Sequence, residues 1–207
     1  MPRIASVLRL ATLLLILSAF MACNRGPFSM EARQQSAALD QYVKTLQTHF
    51  TVNDTFEWNT LSSALIVRLL PYNQAVRQAA DARFSSDPAF HTETAAWNKI
   101  PGRKKARPVT ILMGIFTPDL KAKDVIERER FRPRLKTPDG RLVKPLNIKR
   151  YGRDDVFIRD HFPVFNIWED VYLLQFQPLS SSASDHLEFV LEWPGGERTV
   201  ILNSAPW

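Results

Sequence analysis

The spacing of apolar residues changes along this chain, and each change marks a different kind of element. Leu10 to Ala22 is a short apolar segment with Arg3 and Arg9 on its flank. It falls well short of the roughly 20 residues a bilayer-spanning helix needs. From Met30 to about Phe50, Ala38, Tyr42, Leu46 and His49 recur at helical spacing, with Gln34, Gln35, Asp40 and Lys44 on the other side. Asn53 and Asp54 interrupt that pattern. Leu61 to Leu70 is apolar around Ser62, Ser63 and Arg68; Ile66 and Val67 favour a strand, while Ala64, Leu65 and Leu69 would accept a helix. We read it as a strand closed by Pro71. Asn73 is a fair N-cap for a helix through Val76, Ala79, Ala80 and Phe84, ended by Ser85-Ser86-Asp87-Pro88.

After about residue 108 the pattern shortens to strands and turns. Val109 to Phe116 is almost continuously apolar and reads as a strand buried on both faces. Phe131 to Lys136 alternates, with Phe131, Pro133 and Leu135 on one side and Arg132, Arg134 and Lys136 on the other. Thr137-Pro138-Asp139-Gly140 is a turn, and a return strand follows through Val143, Leu146 and Ile148. Phe162 to Trp168 and Val171 to Phe176 are two further strands, parted by Glu169-Asp170. In the last hairpin Leu187, Phe189, Leu191 and Trp193 share the inward face, and Glu188 and Glu192 the outward one. A Gly195-Gly196 loop would pair Trp193 with Arg198, Leu191 with Val200 and Phe189 with Leu202.

These elements predict an α+β protein: N-terminal helices, then an antiparallel immunoglobulin-like β-sandwich of roughly seven strands. The divisions are a signal peptide over 1–22, a tether over 23–29, a helical part over 30–100 with one strand, and a sandwich over 108–207.

The apolar fraction of 45% is ordinary for a chain with a buried core. A charged flank, a short apolar run and small residues at its end form a secretory signal. The single cysteine, Cys23, follows that run directly. Phe20-Met21-Ala22-Cys23 resembles the lipobox of bacterial lipoproteins, with Phe20 and Met21 bulkier than the usual residues. The resemblance covers only this segment. It implies cleavage after Ala22, a diacylglycerol thioether on Cys23 and acylation of the new amino group, giving stable membrane attachment. Asn24 stands where the class's inner-membrane retention signal would be Asp, which points to the outer membrane of a Gram-negative envelope. Cleavage lowers the net charge from +6 to +4, because Arg3 and Arg9 leave and no acidic residue does. With Cys23 acylated, no thiol remains for a disulfide, a metal site or a nucleophile.

Chemistry is sparse. There is no G-x-S-x-G elbow, no H-E-x-x-H and no glycine-rich phosphate loop. His49, His91, His161 and His186 are scattered. The serines at 180–184 beside Asp185 and His186 suggest only a solvated loop, because a triad is defined by geometry. Asp154, Asp155, Asp160, Glu169 and Asp170 read as charged loop tips. No catalytic, cofactor-binding or metal-binding residue is assigned. Lys99, Arg103, Lys104, Lys105 and Arg107 form the densest basic patch, suited to anionic lipid, lipopolysaccharide or another envelope polymer; a second run is Arg128, Arg130, Arg132, Arg134 and Lys136. Export makes nucleic acid a poor partner. The function expected is a lipid-anchored, non-catalytic binding or accessory module, with an unknown envelope protein as a further partner. The alternative is an envelope hydrolase acting on glycan or ester.

Overall fold

Asn73 caps its helix as its position predicts: its Oδ1 accepts from the Val76 amide at 3.0 Å. The computed structural model describes residues 36–57, 62–99, 107–117, 131–137, 139–153, 155–178, 186–193 and 196–203. Among them are four helices, α1 (Ser36–His49), α2 (Gln74–Arg83), α3 (Pro88–Trp97) and α4 (Val156–His161). The strands are β1 (Thr51–Glu57), β2 (Ser62–Pro71), β3 (Val109–Phe116), β4 (Arg132–Lys136), β5 (Leu142–Val143), β6 (Asn147–Tyr151), β7 (Asp170–Phe176), β8 (His186–Trp193) and β9 (Gly196–Asn203).

Two antiparallel sheets run in the orders β1-β2-β3-β7-β6 and β5-β4-β8-β9. They lie within the compact unit that begins at Gln41. The fold is thus α+β with two sheets, and the likeness to an immunoglobulin domain stops there. An immunoglobulin sandwich sends its third strand to the opposite sheet, whereas β1, β2 and β3 form a meander within one sheet. The composition break near residues 100–108 falls between α3 and β3, and β2 and β3 on either side of it are hydrogen-bonded neighbours.

The central strands β3 and β7 of the five-stranded sheet are buried on both faces, which explains why they are nearly continuously apolar. Alternate residues such as Leu69, Ile111 and Leu174 pack against Leu135, Phe189 and Leu202 of the other sheet. Their neighbours Leu70, Leu112 and Leu173 pack on the opposite face among Tyr42, Val76, Phe90, Trp97 and Phe162, which come from the helices and from the turn after α4. The helices therefore cover the outer face of the longer sheet.

Several elements depart from the sequence reading. Thr51–Glu57 is a strand, and Asn53 and Asp54 lie within it. Asp87 and Pro88 begin α3 as N-cap and first helical residue. The return strand after the Gly140 turn is two strands, β5 and β6, in different sheets. Phe162–Trp168 is a succession of turns, not a strand, with Phe162 and Phe165 buried among the helix residues. The last ladder is shifted by two residues: Trp193 faces Gly196, Leu191 faces Arg198 and Phe189 faces Val200. Proline has no N–H to give to a ladder, so a register that ends before Pro194 wastes no bond. Because the shift is an even number, every inward residue stays inward.

Candidate functional site

Polar groups on the helical side of the longer sheet are tied to one another. Asp87 Oδ1 caps α3 by accepting from the Ala89 and Phe90 amides, and its Oδ2 lies 2.9 Å from His161 Nε2. The His161 Nδ1 faces the Phe157 carbonyl at 2.8 Å, and the ring sits between Phe84, Phe90 and Phe157. Both ring nitrogens face acceptors, so neither is free to take a proton from a substrate. The His161 hydrogen bond, with help from the Phe90 and Ala89 amides, holds the Asp87 carboxyl below the usual range.

A second cluster joins α3 to β6. Trp97 Nε1 donates to Tyr151 Oη at 2.9 Å, and Tyr151 donates to Glu93 Oε1 at 2.5 Å. Lys149 also pairs with Glu93 and lies over the Tyr151 ring. Burial pushes the Glu93 carboxyl up, but the bonds from Lys149, Tyr151 and Trp97 outweigh it and leave the group lowered. Burial, reinforced by Glu93, pushes the Tyr151 phenol up.

A third cluster sits where β7 begins. Asp170 holds Arg150 at 3.0 Å and Arg153 at 3.3 Å. Glu169 is buried, paired with Arg68, and accepts from the Asn166 amide. Burial raises its carboxyl, and Arg68 only partly offsets this. Gly114 makes room for the pair: a Cβ there would lie 2.6 Å from Glu169 Oε2 and 2.8 Å from a Phe165 ring carbon. These clusters are internal ties: the first joins α3 to α4, the second α3 to β6, and the third β2 and β6 to the start of β7.

The sequence-predicted residues fall in different places. Cys23, Arg103, Lys104 and Lys105 lie outside the described residues, as do Arg128, Arg130, Asp154 and the stretch 180–185. Lys99 and Arg107 are exposed. His186 sits on β8 opposite Asn203, and His49 lies 3.1 Å from the buried Asn73 amide. The outward residues of β4 meet acids on β8: Arg134 pairs with Glu192 at 3.1 Å and Lys136 with Glu188 at 2.7 Å. The second basic run is thus partly neutralised across the strands.

Lys99, after α3, and Arg107, before β3, both lie at one end of the five-stranded sheet, where β3 and β6 start and β7 finishes. Gln175 organises this end. Its Nε2 donates to the carbonyls of Trp97 (2.8 Å) and Lys99 (3.4 Å), and its Oε1 accepts from Asn147 Nδ2 at 2.7 Å. Its backbone carbonyl accepts from the Leu146 amide at 2.7 Å. Thr110, opposite Gln175, accepts through its carbonyl from the Tyr72 amide. Arg77 reaches the Tyr72 carbonyl at 3.5 Å; burial first, then the charge of Arg107, lowers its pKa, with Asp81 opposing.

The segment between β5 and β6 crosses from one sheet to the other at this end and borders an open pocket of about 350 Å3. Arg132, Arg134 and Lys144 line it, with Phe131, Pro133, Pro145 and Ile148 as its apolar wall. Sequence reading missed this site because it took the crossing for one strand. The signal was the spacing: Val143 to Leu146 is three residues, which a single strand face cannot hold. Among the described residues no three His, Cys, Asp or Glu side chains gather as a metal site, and no helix is long and apolar enough to cross a membrane. Comparison with family models, curated proteins and solved structures found no match.

Proposed function

We propose that this is a lipid-anchored cell-envelope protein, held by acyl chains on Cys23, that acts as a non-catalytic binding or accessory module at an anionic membrane surface. The outer membrane is the expected location. The observation that carries the reading is that Lys99, Arg107 and the segment holding Lys144 all lie at one end of the sheet, with Arg77 within electrostatic reach of Arg107. Arg103, Lys104 and Lys105 lie in sequence between the first two. Each basic residue near such a surface is worth about 1 kcal/mol. The open pocket is lined by cations and apolar groups, which suits recognition of an anion better than hydrolysis of glycan or ester. The His161 ring, with both nitrogens engaged, offers no base for the alternative.

The test is flotation of residues 24–207, which contain the whole compact unit from Gln41, with phosphatidylcholine vesicles with and without phosphatidylglycerol. Binding should need the anionic lipid and fall with salt. Lys104→Gln with Lys105→Gln should weaken it about fivefold per charge. Equal binding to neutral vesicles, or none to either, contradicts the reading.

A further inference from the structure

We infer that the pocket between β4 and the β5–β6 crossing is a binding site for the phosphate-bearing headgroup of an anionic membrane lipid. This rests on the proposed membrane-surface role and adds to it a defined site with headgroup selectivity. The pocket exists because β5 pairs with β4 only at Leu135 and Lys136, while β8 pairs along the whole of Arg132–Lys136. The edge from Phe131 to Arg134 is therefore left uncovered by β5. Pro133 lies in that uncovered stretch and has no N–H, so the edge is a poor template for an added peptide strand. A small ligand suits the gap better.

Among the described residues three cations and no carboxylate line the pocket, and Arg134 is paired with Glu192 at its rim. Arg132 and Arg134 are two positions apart on one strand, so both side chains leave the same face of the sheet, and guanidinium donors suit phosphate oxygens. Lys144 approaches from the crossing segment. The volume of about 350 Å3 is at the low end for small-ligand sites, room for a headgroup rather than for acyl chains. Chains leaving it would meet a suitable neighbourhood. Leu142, Leu146 and Ile148 are 43%, 54% and 39% exposed along the same crossing, with Lys144 among them and Arg141, paired with Asp139, next to Leu142. Exposed aliphatics interspersed with basic residues are the composition of a surface seated in the headgroup region. That composition favours a lipid over free phosphate.

The test is amide NMR on residues 24–207, titrated with dihexanoyl phosphatidylglycerol below its micelle concentration and, separately, with inorganic phosphate. The lipid should shift amides in 131–134 and 144–148, and Lys144→Gln should weaken its binding about fivefold. Ile148→Ser should weaken the short-chain lipid but not phosphate, and Lys44→Gln, on α1, should change neither. Phosphate binding as tightly as the lipid would overturn the assignment to a lipid headgroup. Absence of shifts in these two segments would overturn the site. Vesicle flotation retained in that case would leave the membrane-surface role standing, whereas loss of flotation as well would remove both.

Discussion

Gly114→Ala should be among the most damaging single-methyl changes in the five-stranded sheet. Gly114 is buried in the middle of β3, between Arg68 of β2 and Val171 of β7 in register. Its added Cβ would meet Glu169 Oε2 at 2.6 Å and Phe165 carbons at 2.8 and 3.2 Å. One of them must move, and both are buried. Overpacking of this kind costs about 1–3 kcal/mol. If the carboxylate yields, it also loses part of its bond to Arg68 while staying out of water, a share of the about 3–5 kcal/mol for breaking a buried pair. Alanine's better strand propensity returns only roughly 0.5–1 kcal/mol. The net loss should be about 2–4 kcal/mol, which at a urea slope of about 2 kcal/mol/M lowers the midpoint by about 1–2 M. Gly152→Ala is the control, because a Cβ there meets nothing within 4 Å, and it should stay within about 0.5 kcal/mol. In a Glu169→Ala background the methyl meets only Phe165, so the penalty at Gly114 should shrink. Equal midpoints for the two glycine variants, or an unchanged penalty in that background, would refute the role given to the Glu169–Arg68 pair.

Three further outcomes are expected. Phe189→Ala removes a fully buried ring packed opposite Val200 and should cost about 3–5 kcal/mol, whereas Glu188→Ala loses only a half-exposed pair with Lys136 and should cost less than about 1 kcal/mol; denaturant melts of equal depth would contradict the assigned faces. Asp87 and Glu93 both have lowered carboxyl pKa values in the folded protein, so the stability they contribute is present above the unfolded values near 4 and is lost as pH falls through the folded ones. Asp87→Asn keeps the helix cap but not the charge, so urea midpoints measured from pH 6 down to pH 3 should fall less steeply than in the wild type, and parallel curves would exclude the pair with His161 as a source. Trp97→Phe leaves the Tyr151 hydroxyl without its indole donor and should cost about 1–3 kcal/mol by thermal unfolding; an unchanged transition would contradict that bond.

What could be read from the sequence follows the local strength of its patterns. The apolar run of β3, the alternation of β4 and the inward face of β8 were legible because burial on one or both faces leaves a repeating signature. The register of β8 and β9 was not, since a two-residue shift preserves every face and only the turn distinguishes the two. β1 is an edge strand with Val52 about half exposed and Asn53 and Asp54 inside it, so its composition imitates a loop. α4 has six residues, too few for a helical period, although Asp155 caps it by accepting from the Ile158 amide. Phe162 and Phe165 resemble strand residues because they are buried, but they are buried among helix residues. The basic patch was visible as composition; the pocket was not, because it forms where β4, the β5–β6 crossing and β6 meet across two sheets.

The most direct test of the account is the intact mass of the protein extracted from the membrane fraction of its own cells, followed by the same fractionation for Cys23→Ser. A lipid-anchored protein should give a chain that begins at Cys23 and carries acyl chains, and a Cys23→Ser variant that lacks them and is largely released. A native chain with an unmodified cysteine, or a Cys23→Ser variant that stays with the membrane as fully as the wild type, would contradict it.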